Sequence, residues 1–115
     1  MRYGRLFLAG DSAHIVPPTG ATALNLAASG VAYLSQAMIA HYRRGDGSRI
    51  GGYQTKVPAR IWKAERFSWF LTKLMHRFLE NGPFEDRRQS AELDYRAGSI
   101  AIQISVAANY VGLPL

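Results

Sequence analysis

The residues best suited to chemistry lie close together in the first quarter of the chain. A short apolar run at residues 5–9 predicts a buried strand, and Gly10 and Asp11 follow it directly. A carboxylate at the end of a strand commonly accepts hydrogen bonds from sugar-like hydroxyls. Pro17 and Pro18 then predict a rigid extended segment with free carbonyls, because proline fixes φ and has no amide to donate.

A helix start completes this segment. Thr19 is the predicted N-cap, and Gly20 leads into a helical pattern that begins at Ala21. The first amides of a helix have no intrahelical partner, and its N-terminus carries about half a positive charge. Such an end suits an anion or an electron-rich carbonyl edge. A hydroxyl acceptor, a rigid acceptor loop and an amide-rich helix start together predict a cofactor-binding cradle.

Helical periodicity accounts for most of the remaining chain. Apolar residues recur three and four positions apart between residues 24 and 42, and Gly45 is a suitable stop. Two glycines and Pro58 weaken the first half of the second helix. The four predicted helices span residues 21–44, 49–78, 84–96 and 100–110.

The inventory of one strand and about four helices is unusual, since a strand cannot satisfy its backbone alone. The predicted fold class is therefore a mostly α fragment of an α/β (α+β) protein, with one short strand from a larger sheet. Two regions are predicted. Residues 1–45 hold the strand, the loop and the first helix of the cradle, and residues 46–115 form a helical C-terminal or interface region.

Composition and charge exclude several classes of protein. The 115 residues contain no cysteine, which excludes disulfides and thiolate metal sites and fits a cytoplasmic protein. No histidine pair has ligand spacing beside a carboxylate, so no metal site is predicted. Residues 12–42 and 97–115 carry no charged side chain, but prolines and polar residues interrupt them, so neither is predicted to cross a membrane. The net charge of +6 permits anionic partners.

The cradle resembles the second flavin-contacting segment, the Gly-Asp motif, of the class A (single-component) aromatic hydroxylases. The resemblance extends over essentially the whole chain and is specific because several blocks recur in the same order and spacing. These blocks are residues 4–11, 15–21, 24–29, 60–69 and 109–114. The resemblance implies a flavoprotein fold and FAD as the cofactor, and it identifies this chain as a C-terminal segment of such an enzyme.

The resemblance also implies roles in FAD binding. Gly10 and Asp11 form the Gly-Asp motif, and Asp11 would bind the ribityl hydroxyls. Gly20 opens the helix, and the amides of Leu24 and Asn25 would face the pyrimidine oxygen of the flavin. A helix N-terminus there would stabilise negative charge on the reduced flavin.

Further roles implied by the resemblance concern the substrate, an aromatic acid such as 4-hydroxybenzoate that is hydroxylated with NADPH and O2. The carbonyl of Pro18 would lie near the substrate phenol, and Tyr110 would relay a proton from it. Where a family member has Lys and Gly, this chain has Thr22 and Ala23, which removes a positive charge from the site.

The resemblance implies partners as well. The family's Gly-x-Gly-x-x-Gly segment, which holds the FAD pyrophosphate, and its NADPH-contacting arginines are not found in this sequence. The missing N-terminal portion of the same enzyme is therefore an expected partner, the full-length protein is expected to be a homodimer, and the chain alone is expected to be inactive.

The alternative is a free-standing basic helical module for binding or dimerisation. Four basic residues fall on one stripe of the second helix with two tryptophans on its flank, a pattern that could grip nucleic acid. Glu65 interrupts the stripe, and a solvated face or subunit interface explains it better, so no nucleic-acid partner is predicted. The basic residues are Lys63, Arg66, Lys73 and Arg77, and the tryptophans are Trp62 and Trp69.

Overall fold

A computed structural model describes residues 1–111 as a short β-hairpin followed by four helices. This arrangement confirms the mostly helical fold with a short strand. The strands are β1 (Arg2–Tyr3) and β2 (Leu6–Phe7), and two single 3-10 turns follow at Gly10–Ser12 and Pro18–Gly20. The helices are α1 (Ala23–Arg44), α2 (Ser48–Met75), α3 (Pro83–Gly98) and α4 (Ile100–Val111).

The strand differs from its prediction in length and in partner. β2 covers two residues of the five expected and pairs antiparallel with β1, so that Tyr3 lies opposite Leu6. Gly4 makes this tight reversal possible, because its φ of +57° is a left-handed conformation that residues with a Cβ rarely adopt. Leu6 is 60% exposed, so the hairpin lies at the surface of this chain.

Helix α1 begins two residues later than predicted and ends where expected. Ala21 adopts a left-handed conformation with φ of +50°, which prevents the helix from starting there. The N-cap is Thr22 rather than Thr19, and its side chain makes no capping hydrogen bond. Gly45, with φ of +69°, ends the helix as predicted, and its amide donates to the His41 carbonyl at 2.9 Å.

Helix α2 is continuous across the residues expected to weaken it. Pro58 lies inside the helix, where it removes one backbone donor. The turn is held by burial on the side that faces α1, where Tyr53, Val57 and Ile61 form the core cluster. The helix ends at Met75, three residues before the predicted end, because His76 is extended. Tertiary packing outweighs local propensity in this helix.

The hydrophobic core is small and lies between α1, α2 and the hairpin. Ala37 and Ala40 are fully buried, and such small side chains permit close approach of two helices. Tyr53 is fully buried as well, its hydroxyl donates to the Leu8 carbonyl at 2.7 Å, and its ring meets Phe7 edge to face. Tyr53 thus joins α2 to the segment that leads into Gly10.

Helices α3 and α4 form a second, more exposed unit, and none of their described residues is buried. Gln89 of α3 holds the end of α2, since its side-chain amide donates to the carbonyls of Leu74 and His76 at 2.8 and 3.0 Å. Arg77 and Asp86 add an ion pair across the same junction. The bond from Gln89 to Leu74 satisfies a carbonyl in the last turn of α2, which has no intrahelical donor.

Helix α1 is long and apolar enough to cross a membrane by length and composition alone. One such helix is weak evidence for a membrane protein, because core helices pass the same test. In this fold, α1 packs along α2 and carries the helix start of the predicted cradle.

Candidate functional site

The Gly-Asp turn presents its carboxylate to the outside of the chain. Gly10 has φ of +65°, which favours glycine, and its carbonyl accepts from the Ala13 amide at 2.9 Å to close a 3-10 turn. The Ser12 hydroxyl donates to the Ala9 carbonyl at 2.7 Å and holds the same turn. Asp11 is exposed and makes no hydrogen bond or ion pair with the described residues. Its carboxylate is therefore available to hydroxyl donors.

The turn lies against helix α1. A Cβ placed on Gly10 would be 3.9 Å from the Cβ of Ala27, one turn into that helix. Asp11 therefore lies beside the first turns of α1, as a cradle formed by the two segments requires.

The proline loop is more compact than predicted. Pro17 is extended, with ψ of 138°, but residues Pro18–Gly20 form a 3-10 turn. The Pro18 carbonyl is not free, because it accepts from the Ala21 amide at 2.9 Å. The prediction of free carbonyls along an extended segment is therefore wrong for Pro18, although a carbonyl has two lone pairs and one remains for a ligand.

The start of α1 offers the donors that the sequence predicted. Leu26 donates to the Thr22 carbonyl at 2.9 Å, the first α-helical hydrogen bond, so the amides of Ala23, Leu24 and Asn25 precede that ladder. Leu24 is 80% exposed and Asn25 is exposed. The positive end of the helix dipole therefore lies at residues that are partly open to solvent.

A cleft of about 870 Å³ lies between the α1 start, α2 and the end of α4. One wall is the proline loop and the first turns of α1, with backbone and hydroxyl groups. The opposite wall is cationic and aromatic. The polar and aromatic residues that line the cleft include Thr22, Asn25, Ser29, Arg60, Lys63, Arg66, Phe67, Asn109 and Tyr110.

Two contacts with α2 hold the C-terminal end of α4, which carries Tyr110. The Arg66 guanidinium donates to the side-chain oxygen of Asn109 at 2.8 Å. The ring of Tyr110 meets Phe67 edge to face, with centroids 6.5 Å apart. Tyr110 remains 57% exposed, so its side chain is open to the cleft and to solvent.

The structure brings together three of the predicted site residues in the cleft. Gly20, Asn25 and Tyr110 line it, although Gly20 and Tyr110 are 90 positions apart in the sequence. Gly10 and Asp11 lie instead beside Ala27 of α1. Pro18 and Leu24 are exposed residues that do not line the cleft. The start of α1 therefore adjoins both the Gly-Asp turn and the cleft.

Sequence reasoning missed the polar contacts between α2 and the loop. Ser68 is fully buried and Thr72 is partly buried, and both make hydrogen bonds toward the loop and the start of α1. The sequence signal that could have revealed them is Ser68, a hydroxyl residue among the apolar positions of α2. A buried hydroxyl needs a hydrogen-bonding partner.

The basic residues predicted to share one helical stripe are largely engaged with neighbouring side chains, and Arg77 lies beyond the end of α2 at Met75. Arg66 binds Asn109, and Arg77 pairs with Asp86. The Lys73 ammonium lies 5.6 Å from the centre of the Trp69 ring. Three of the four basic side chains are therefore in contact with other side chains of this chain. Absence of a nucleic-acid partner stays a prediction.

Comparison with known proteins agrees with the geometry of the site. The turn with an open carboxylate and the adjoining helix start offer the acceptor and donors that a nucleotide cofactor would need. Residues 1–68 match the family model described as FAD binding domain, and the chain belongs to this family. The cofactor of the family is FAD, which confirms the predicted cofactor.

A curated relative covers nearly all of the chain. The p-hydroxybenzoate hydroxylase of Acinetobacter baylyi (strain ATCC 33305 / BD413 / ADP1) is 57% identical over 114 residues, which are 99% of this chain. The chain spans 28% of the length of that relative. The resemblance to the aromatic hydroxylases is thereby confirmed.

Proposed function

We propose that this chain forms one wall of the FAD and substrate site of a monooxygenase that resembles p-hydroxybenzoate hydroxylase. The observation that carries the proposal is the open Asp11 carboxylate at a glycine turn, packed beside a helix whose first amides precede its hydrogen-bond ladder. The relative from Acinetobacter baylyi supports the reaction class. The complete site requires the remainder of such an enzyme.

The residues present fit a flavin nucleotide. Asp11 is an acceptor without a partner among the described residues, which suits the ribityl hydroxyls. The amides of Leu24 and Asn25 suit the pyrimidine edge, where the helix dipole stabilises negative charge. Gly10 provides the turn that orients Asp11, and Gly20 permits the loop to lie close to α2. The carboxylate and the amides are groups without a partner in the part of the chain that the structure describes, and the glycines allow the backbone turn and the close contact with α2.

On the substrate side, bound FAD would supply the activation of O2 for hydroxylation of a phenolic acid ortho to its hydroxyl, with NADPH as the reductant. Tyr110 is open to the cleft, where its hydroxyl would accept the phenol proton and pass it on. Removal of that proton makes the aromatic ring more nucleophilic. The Pro18 carbonyl, with one lone pair remaining, would lie near the phenolic hydroxyl.

Substitution of Asp11 tests the role of the Gly-Asp turn. This chain would replace the matching 28% of the Acinetobacter baylyi hydroxylase, and FAD binding would be measured by fluorescence titration. Asp11→Asn keeps the shape but loses the charge, and it is expected to weaken FAD binding about tenfold, because hydrogen bonds to charged groups contribute about 1.5–3 kcal/mol.

A matched control for this experiment is Asp94→Asn, an exposed aspartate on α3 that lies away from the proposed site. FAD affinity should be unchanged in this variant. Equal affinity in the Asp11→Asn and unsubstituted proteins would refute the role of Asp11 in the proposal.

The 115-residue chain by itself is expected to be inactive, because it spans 28% of the length of the hydroxylase that it resembles. The assay would follow NADPH oxidation by absorbance and the hydroxylated product by chromatography, with 4-hydroxybenzoate as substrate. Product formation coupled to NADPH oxidation by this chain alone would contradict the expectation. A homodimeric, cytoplasmic complete enzyme is part of the same proposal.

A further inference from the structure

The proline loop and helix α2 make an unusually close approach at one point. Gly20 is buried, and a Cβ placed on it would collide with Ser68 Oγ and lie 3.2 Å from Ser68 Cβ and 3.3 Å from Ser68 Cα. Ser68 is itself fully buried. The loop backbone at Gly20 therefore packs directly against Ser68 of α2.

Four hydroxyl residues surround this contact, and we call them the hydroxyl clamp. Two come from the segment that leads into α1, and two come from α2. Thr22 Oγ1 lies 3.3 Å from Ser68 Oγ, and Thr72 Oγ1 lies 3.0 Å from Thr19 Oγ1. The clamp thus has one pair on each side of Gly20.

Each hydroxyl of the clamp can donate only one proton, which limits the hydrogen bonds that it can make. Thr72 Oγ1 is also 2.9 Å from the Ser68 carbonyl oxygen, which can only accept. Thr72 Oγ1 is also the donor toward Thr19 Oγ1, and because a hydroxyl has one proton, the Ser68 carbonyl and the Thr19 hydroxyl share it. Hydrogen bonds are directional, so these pairs resist movement of the loop along α2. Apolar contacts at the same places would resist that movement far less.

The two pairs attach α2 to the proline loop and to the first residue before α1. Thr22 is the N-cap of α1, and its carbonyl accepts the first α-helical hydrogen bond, from Leu26. Thr19 lies between Pro18 and Gly20, inside the 3-10 turn. Moving either threonine would therefore move the Pro18 carbonyl or the amides at the start of α1.

We propose that Ser68 and Thr72 are positioning residues that fix the proline loop and the start of α1 through the hydroxyl clamp. The functional part of this proposal rests on the proposed function, in which these groups face flavin and substrate. Thr22, a neutral hydroxyl residue, is used for attachment to α2.

Backbone amide hydrogen exchange in the full 115-residue chain tests the clamp without FAD. Ser68→Ala and Thr22→Val each remove one side of the first pair. Each is expected to speed exchange of the Leu26 amide about three- to tenfold, the effect of one hydrogen bond. The double variant should exchange no faster than the faster single variant, because both changes break the same contact.

The second pair has an equivalent test with a conservative rescue. Thr72→Val keeps the shape of the side chain but loses the hydroxyl, and it should speed exchange of the Ala21 amide, which closes the 3-10 turn. Thr72→Ser keeps the hydroxyl and should restore slow exchange. Failure of serine to restore it would assign the effect to packing and overturn the role of this pair.

Matched controls separate positioning from general stability. Ser35→Ala removes an exposed hydroxyl of α1, and it should leave exchange at Leu26 unchanged. The Val57 amide, about 16 Å from Ser68 along the α2 axis, should also be unaffected in the clamp variants. Equal acceleration at Val57 and Leu26, additive effects in the double variant, or no protection of Leu26 in the unsubstituted chain would each overturn the proposal.

A second readout addresses the flavin. In the Acinetobacter baylyi protein that carries this chain, Ser68→Ala should shift the flavin midpoint potential to more negative values, because displaced α1 amides stabilise the reduced form less. An unchanged potential would overturn the functional part of the proposal. If the exchange results hold but no FAD binds, the clamp stands and the proposed function fails, so the two failures are distinguishable.

Discussion

Replacing Tyr53 with alanine is expected to cost about 3–5 kcal/mol of folding free energy, as for other buried aromatic side chains. Tyr53 is fully buried at the centre of the core cluster and contacts the rings of Phe7 and Tyr33. Its loss leaves a cavity between α2 and the hairpin. Thermal unfolding followed by circular dichroism should show a decrease in Tm of at least about 10 °C.

The Tyr53→Phe variant separates the ring from the hydroxyl. It keeps the packing but leaves the Leu8 carbonyl without its donor, so a cost of about 1–2 kcal/mol is expected. Burial raises the pKa of Tyr53, so the unfolded chain loses this proton first and stability falls as the pH rises above about 10. That part of the alkaline destabilisation should be absent in Tyr53→Phe. Equal stability of the alanine variant and the unsubstituted chain would show that this cluster is not the core.

The Gly20→Ala variant is expected to lose about 1–3 kcal/mol of stability, because an added methyl overpacks the contact with α2. The obstacle includes the Cβ and the backbone Cα of Ser68, which is fully buried and has little room to move. The loop should separate from α2, and both pairs of the hydroxyl clamp should weaken. Urea unfolding would measure the change.

The matched control for Gly20 is Gly51→Ala, in the first turns of α2. No atom lies within 4 Å of a Cβ placed there, apart from the glycine's own surroundings in the helix. Because alanine is the better helix former, this variant is expected to gain about 0.5–1 kcal/mol. Opposite signs for the two substitutions would identify the close approach as the cause. A neutral Gly20→Ala would contradict it.

Local signals accounted for much of the fold. The spacing of apolar residues predicted four helices, and Gly45 ended α1 where expected, because a left-handed cap is encoded by one residue. The predicted start at Ala21 was wrong, and the predicted weakening of the first half of α2 did not interrupt the helix. Both depend on contacts with residues far away in the sequence, which outweigh local preferences.

The candidate site likewise combines features that the sequence predicted with contacts that only the structure shows. The Gly-Asp motif and the helix start were recognisable as residue types in a fixed order, and the family was confirmed. The contact of Gly20 with Ser68, 48 positions away, has no local signature. The sequence suggested Thr19 as a cap, whereas the structure uses its hydroxyl in the clamp with Thr72. The function of this threonine depends on which helix lies beside it.

The amino-acid sequence by itself determined the helical segments, the glycine turn that presents Asp11, the family and the cofactor. These properties depend on short-range backbone preferences and on residue types at fixed spacing. Only the tertiary structure decided that the hairpin pairs within the chain, that Tyr110 shares a cleft with Asn25, and that the loop is held by Ser68. The hairpin depends on the reversal at Gly4, whereas the cleft and the loop contact depend on the packing of α1 and α4 against α2, which brings distant residues together.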